Sequence, residues 1–322
     1  MKNKGIVIFL ISLAIVIIVV VTIDYISSKP GELPANPYAL GIDPFSRTDT
    51  ALIMFNERRN LTINFSEPTG LCISNGKIFV VGDQKLQIIE PNGNLLKEIN
   101  FEMKPTCVFA SPDNIYIGFR KSLTILNQEG IKIANCNSFS DSTVITSITE
   151  KSGIIYVADA GKRIVRKFDQ TGKPAGEIEG KSGNDQIHGF IIPSPYFDLA
   201  FNSDGDLWIV NPGKHSLENY THEGKLRTWW KATSVRIEGF SGCCNPAHFA
   251  FLPDGSFVTS EKGMVRIKVY KPSGEFLGVV ADPSKFKDNV HAPDVAVDGL
   301  GNIYALDIDR KMIRLFVKKE NR

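Results

Sequence analysis

Short apolar runs alternating with polar residues recur along most of the chain, and six of them share one layout: a strand, a turn carrying Gly or Asp, and a second strand centred on a large apolar slot. The second strands read KIFVV (77–81), NIYIG (114–118), IIYVA (154–158), DLWIV (206–210), SFVTS (256–260) and NIYAL (302–306). The slots Phe79, Tyr116, Tyr156, Trp208, Val258 and Tyr304 stand 37, 40, 52, 50 and 46 residues apart. That is the spacing of a four-stranded propeller blade, so the pattern predicts an all-β fold, a six-bladed β-propeller.

Blade five displays the unit most fully: HFAFL, the turn PDG, SFVTS, the loop EKG, MVRIKVY, the turn KPSG and an outer strand EFLGVV. Val265, Ile267 and Val269 alternate with Arg266 and Lys268, the period of a sheet with unlike faces, and Lys262 and Lys268 are read as solvated. The turns QTG (170–172), HEG (222–224) and PSG (272–274) place Gly where a positive φ is cheapest. Blade six runs out after MIRLFVK, which would leave a bare sheet edge. The segment 51–65, ALIMFNERRNLTINF, is expected to supply the missing outer strand by pairing with residues around Arg314 to Val317.

A different pattern occupies the N-terminus. Gly5 to Ile23 carries no charge over 19 residues, roughly 28 Å of helix and close to the thickness of a bilayer core. Lys2 and Lys4 precede it and Asp24 follows, which favours an uncleaved anchor with its N-terminus in the cytoplasm. A cleaved signal peptide is the competing reading. Residues 1–27 are thus read as a transmembrane signal-anchor, 28–50 with four prolines as a linker, and 51–322 as the propeller, extracytoplasmic in the periplasm or at the cell surface.

Composition narrows the function classes. The 37 basic and 35 acidic residues of the 322 are interspersed and leave a net charge of +2, so no electrostatic footprint for nucleic acid is visible. No phosphate loop, nucleophile elbow or His-Glu-x-x-His helix is present.

GIIYVADAGKRIVRKFDQTGK (153–173) and PDVAVDGLGNIYALDIDRKMIRLF (293–316) resemble the NHL repeat, and the resemblance extends over about residues 51–318. Blades one and two depart from it, with Gly82 and Phe119 where the motif has the acid seen at Asp159 and Asp307. The resemblance implies a propeller used as a protein or RNA docking ring, a zinc-dependent peptidyl-hydroxyglycine lyase or, in a related six-bladed group, a metal-dependent lactonase. Fold does not choose among these.

Counting back ten residues from each slot gives Thr69, Thr106, Thr146, Asp198, His248 and Asp294 at the start of the innermost strands. Asp198, His248 and Asp294 therefore aim two carboxylates and an imidazole at one channel mouth, a set able to bind a divalent metal, Zn or Ca. The alternative is that these side chains hydrogen-bond neighbouring backbone. The loops leading into blades four to six carry His188, the sequence GFSGCCNPAHF, and His291, which makes His188 and His291 acid or base candidates.

Cys243 and Cys244 leave three readings open: a vicinal disulfide, a soft-metal or redox site with His248, or an inert pair in a turn. Cys72, Cys107 and Cys136 read as small buried hydrophobes, and Trp229 and Trp230 as packing residues. The leading expectation is a membrane-anchored binding module that takes a protein or small-molecule ligand at the mouth of blades four to six. Its rivals are a metal-dependent lyase or lactone hydrolase, and a redox-associated protein using Cys243 and Cys244.

Overall fold

The computed structural model describes residues 3–27, 48–137, 139–181, 189–286 and 291–320. His188 and most of the 28–50 linker lie outside the described residues. The chain divides into two compact units, residues 1–42 and 43–322. In the first, a helix spans Asn3–Ser27, and its segment Lys4–Tyr25 is long and apolar enough to cross a membrane. Its side chains from Ile6 to Ile23 are exposed, and all but Ser12 and Thr22 are apolar.

The second unit is a six-bladed β-propeller, each blade a four-stranded antiparallel sheet among the described residues. Blades one to five each take four consecutive strands, the innermost being Pro68–Ser74, Pro105–Ala110, Ile145–Lys151, Leu199–Phe201 and His248–Phe251. Blade six is composite. Its strands Asp294–Val297, Ile303–Asp307 and Met312–Lys318 are completed by Phe55–Thr62 from the other end of the domain. Asn60 pairs Arg314, Leu61 pairs Ile313 and Thr62 pairs Met312, so the ring closes as the unpaired edge required.

Burial follows from the stacking of blades around the axis. The second strands Leu207–Asn211 and Ile303–Asp307 are buried at every residue because a neighbouring blade covers each face, whereas the outer strand Leu95–Asn100 is almost wholly exposed. Six apolar clusters are found among the described residues, one at each junction between adjacent blades. All six slot residues are buried within them or beside them. Gly172, Gly224 and Gly274 adopt positive φ of 84°, 91° and 86° in the three turns where Gly was expected to serve that purpose.

One alternation misleads. Lys268 is fully buried rather than solvated, as is Arg266 beside it, because residues 232–242 fold back over the face on which they stand. Lys262, also read as solvated, is half-buried.

Candidate functional site

The innermost strands of all six blades line one axial cavity of about 810 Å³. Its walls are apolar through Ile73, Phe109, Ile148, Phe201, Phe251 and Val297, while Asp198, His248, Asp294, Tyr196, His291 and Asp309 bring polar groups to it. Each innermost strand begins at the mouth end, which is why residues ten positions before the slots converge there.

Several of these side chains join one blade to the next. Thr69 Oγ1 donates to the Pro105 carbonyl at 2.8 Å, Thr146 Oγ1 to that of Phe197 at 2.6 Å, and Ser260 Oγ to that of Pro293 at 2.6 Å. Asp294 accepts from the Leu71 amide at 2.7 Å, which ties blade six to blade one. Asp198 accepts from the Phe249 amide at 3.0 Å and from Ser147 Oγ at 2.6 Å, spanning blades three to five. The backbone-bonding alternative thus describes real contacts at these positions. Thr106 differs, with its hydroxyl turned to Cys107 Sγ at 4.0 Å.

The contacts leave His248 between the two carboxylates. Its Nδ1 stands 3.7 Å from Asp198 Oδ2 and 3.7 Å from Asp294 Oδ1. Burial opposes a charged imidazole, yet the interaction with Asp198 and the charges of Asp294 and Asp198 outweigh it and raise the pKa of His248 above its ordinary value. Burial, reinforced by the Asp198 charge and opposed by His248, pushes Asp294 up to about 6. The mouth therefore pairs a carboxyl of raised pKa with an imidazole of raised proton affinity. Among the described residues no group of three or more His, Cys, Asp or Glu side chains is arranged to hold a metal ion, and oxygens of both carboxylates are committed to backbone amides.

The surrounding loops extend the site. Tyr196, in the loop leading into blade four, meets the His248 ring edge-on with centroids 5.4 Å apart. Lys262, in the loop after the second strand of blade five, places Nζ 5.2 Å from the Tyr196 ring centre and donates to Ser194 Oγ at 3.1 Å. His291 Nδ1 lies 3.0 Å from Asp309 Oδ1 at the exposed rim. Sequence reasoning missed Tyr196 and read Lys262 only as solvated; the only signal for Tyr196 was its place two residues before Asp198 in SPYFD.

Cys243 and Cys244 are free thiols with Sγ atoms 3.1 Å apart, Cys243 exposed and Cys244 buried. Their loop is fixed by Asn245, which donates to the Ser241 and Lys262 carbonyls and accepts from the Lys262 amide. Beneath it Glu261, Arg266 and Lys268 form a buried ion cluster, with Glu261 at 2.7 Å from each cation and accepting from the Ser241 amide at 3.2 Å. Cys107 and Cys136 are buried and Cys72 half-buried. Trp230 packs on Tyr270, whereas Trp229 is half exposed.

The acid of the repeat motif secures the incoming loop of its own blade: Asp159 accepts from the Val144 amide and from Thr143 Oγ1. In blade one, where Gly82 stands in that place, Asp83 does the same work one residue later and accepts from the amides of Ser66 and Glu67.

No protein-family model and no curated protein matches this sequence. Among solved structures the chain is similar to a streptogramin B lyase, at 14% identity and a TM-score of 0.60, over 84% of this chain and 100% of that one. It is also similar to a catalytically inactive virginiamycin B lyase from Staphylococcus aureus with quinupristin, at 15% identity and TM-score 0.56, over 81% and 99%. A third, a protein of unknown function from Bacteroides thetaiotaomicron, gives 13% identity and TM-score 0.56, over 82% and 72%. At such identities these likenesses show the fold, a six-bladed β-propeller, and no more.

Proposed function

We propose that this protein is a membrane-anchored, extracytoplasmic propeller of NHL type that binds a small ligand in the channel mouth of blades four to six. The observation that carries this reading is the cavity of about 810 Å³ with the Asp198–His248–Asp294 cluster at it, in a size range that accepts a drug-sized molecule. The apolar walls suit a hydrophobic body. Three carboxylates near the opening, from Asp198, Asp294 and Asp309, suit a hydrogen-bond donor or a cationic group on its polar end. The charge pattern of Lys2 and Lys4 before the apolar helix supports its role as an anchor with the propeller outside the cytoplasm.

A second reading is supported by one further observation. Asp294, held near pKa 6 beside a His248 whose proton affinity its two carboxylate neighbours raise, is a pair suited to moving a proton, as a lyase or lactone hydrolase requires. The similar solved structures include lyases, which is analogy from fold. In this reading Asp294 is the base, His248 the acid, and His291 orients substrate at the rim.

The test is a ligand-observed NMR screen of fragments and lactones against the full chain in detergent micelles. Binding that disappears in both His248→Ala and Asp294→Ala supports the proposal. Binding that survives both, or none at all, contradicts it. Turnover of a bound lactone that His248→Ala abolishes selects the enzyme, and metal analysis of the same preparation decides whether an ion takes part.

A further inference from the structure

The vicinal thiols have features that the ligand reading does not use. Cys243 is exposed on a fixed loop and Cys244 is buried directly behind it, with Sγ atoms 3.1 Å apart. This is the arrangement of an attacking and a resolving thiol. The surroundings of Cys244 favour its anion: burial opposes ionisation, but hydrogen bonds with Ser194 and Cys243 and the charge of Lys262 bring its pKa below the ordinary thiol value. Hydrogen bonding and charge from Cys244 hold Cys243 above that value, so it is exposure, not acidity, that makes Cys243 the sulfur an external disulfide meets first. Burial pushes Cys72 and Cys107 up to about 12 and Cys136 up to about 11, which leaves them inert by comparison.

We propose that Cys243 and Cys244 form a thiol–disulfide exchange site that external disulfides oxidise, and that its state reaches the channel mouth through Lys262 and Tyr196. In the first step the Cys243 thiolate attacks a sulfur of the external disulfide. That bond breaks, one thiolate leaves and takes up the proton that Cys243 lost, and a mixed disulfide remains on Cys243. In the second, the Cys244 thiolate attacks Cys243 Sγ, the mixed disulfide breaks, and the second thiolate leaves with the proton from Cys244. Two protein thiols are oxidised to one disulfide, and one external disulfide is reduced to two thiols.

The transmission follows from the contacts of Lys262. Its ammonium faces Cys244, the Ser194 hydroxyl and the face of Tyr196, and Tyr196 in turn abuts His248. Oxidation ties up the sulfur that faces the ammonium, so the cation is left with the hydroxyl and the ring, beside the imidazole at the centre of the mouth.

The experiment reduces the full chain in detergent micelles, exposes it to oxidised glutathione, alkylates the remaining thiols and maps the peptides by mass spectrometry. Wild type is expected to link Cys243 to Cys244 and to retain no glutathione. Cys244→Ser should keep one glutathione on Cys243, Cys243→Ser should react roughly tenfold more slowly because the remaining thiol is buried, and Lys262→Met should close more slowly because the charge that favours the Cys244 thiolate is gone. Circular dichroism of each variant confirms that it is folded. A wild-type protein that keeps glutathione on Cys243, or whose two thiols stay alkylatable, overturns the exchange site. Histidine NMR of the same samples tests the transmission: the His248 ring signals shift on oxidation of wild type, and an unchanged His248 overturns it.

Discussion

Nδ1 of His248 stands 3.7 Å from Asp294 Oδ1, and the same nitrogen stands 3.7 Å from Asp198 Oδ2, so one imidazole is shared by carboxylates from the blades on either side of its own. Each of those carboxylates also accepts a backbone amide from a neighbouring blade. The groups that give the mouth its chemistry are therefore also groups that hold the ring together, and stability and proton affinity become linked.

That linkage has a sign. Asp294 has its pKa raised by burial from an ordinary 3.8 to about 6, so its contribution to stability is complete below pH 3.8 and is lost as pH rises through about 6. His248, also raised, loses its contribution as pH rises through a value above 6.5. The two act in the same direction. Asp294→Asn should therefore gain on wild type by about 3 kcal/mol between pH 4 and pH 7, read as the difference between urea unfolding curves. A gap that stays flat or narrows would contradict the assignment.

Asp198 is the more structural of the two acids. Asp198→Ala strands the Phe249 amide and Ser147 Oγ, both of which it accepts from, and should cost about 2–4 kcal/mol. Asp198→Asn keeps an acceptor and should recover part of the loss. Equal losses in the two variants, measured by denaturant titration at pH 7, would show that the interblade hydrogen bonds contribute little.

Ring closure can be probed at Glu57, whose carboxylate takes Nε and Nη2 of Arg314, each at 2.9 Å, across the junction of the two chain ends. Burial raises the Glu57 pKa, but the hydrogen bond and charge of Arg314 overcome it and leave the net value lowered. A lowered pKa stabilises above the ordinary 4.5 and that stability is lost as pH falls. Glu57→Gln should cost about 1–3 kcal/mol at pH 7 and progressively less below pH 4, by thermal unfolding at each pH. A penalty independent of pH would mean that packing, not charge, closes the ring.

The cluster beneath the cysteine loop predicts an asymmetry. Lys268 is fully buried, burial brings its pKa down to about 8, and Nζ lies 4.7 Å from the Phe240 ring centre. Lys268→Met leaves Glu261 and Arg266 as a matched pair and should change stability by less than about 1.5 kcal/mol. Glu261→Gln leaves two buried cations facing each other and should cost about 3–5 kcal/mol. Comparable effects from the two, in the same denaturant series, would refute this account of the cluster.

The contrast between Lys268 and Asp198 shows what the sequence makes legible. Alternation, the slot residues and the Gly turns define the blades because they are local, and counting from the slots finds Asp198, His248 and Asp294 because every blade starts its inner strand at the same end. The pairing of Phe55–Thr62 with Met312–Lys318 followed from the lack of a fourth strand in blade six. Lys268 was misread because the segment covering it, residues 232–242, has no regular pattern of its own and belongs to a connection between blades. Tyr196 and Lys262 escaped for the same reason: loops from two blades meet at them, and no spacing encodes that meeting.

The most direct measurement is a histidine-selective NMR titration of the full chain in detergent micelles with a bound fragment or lactone. His222 serves as the reference for the end of the cavity away from the mouth, where its ring stacks on Phe201 and Nδ1 lies 2.8 Å from the Tyr156 hydroxyl. A site at the mouth of blades four to six predicts that ligand shifts the ring signals of His248, and of His291 at the rim, while His222 stays still. Ligand that binds and moves His222 but leaves His248 unchanged would place the site elsewhere and contradict the account.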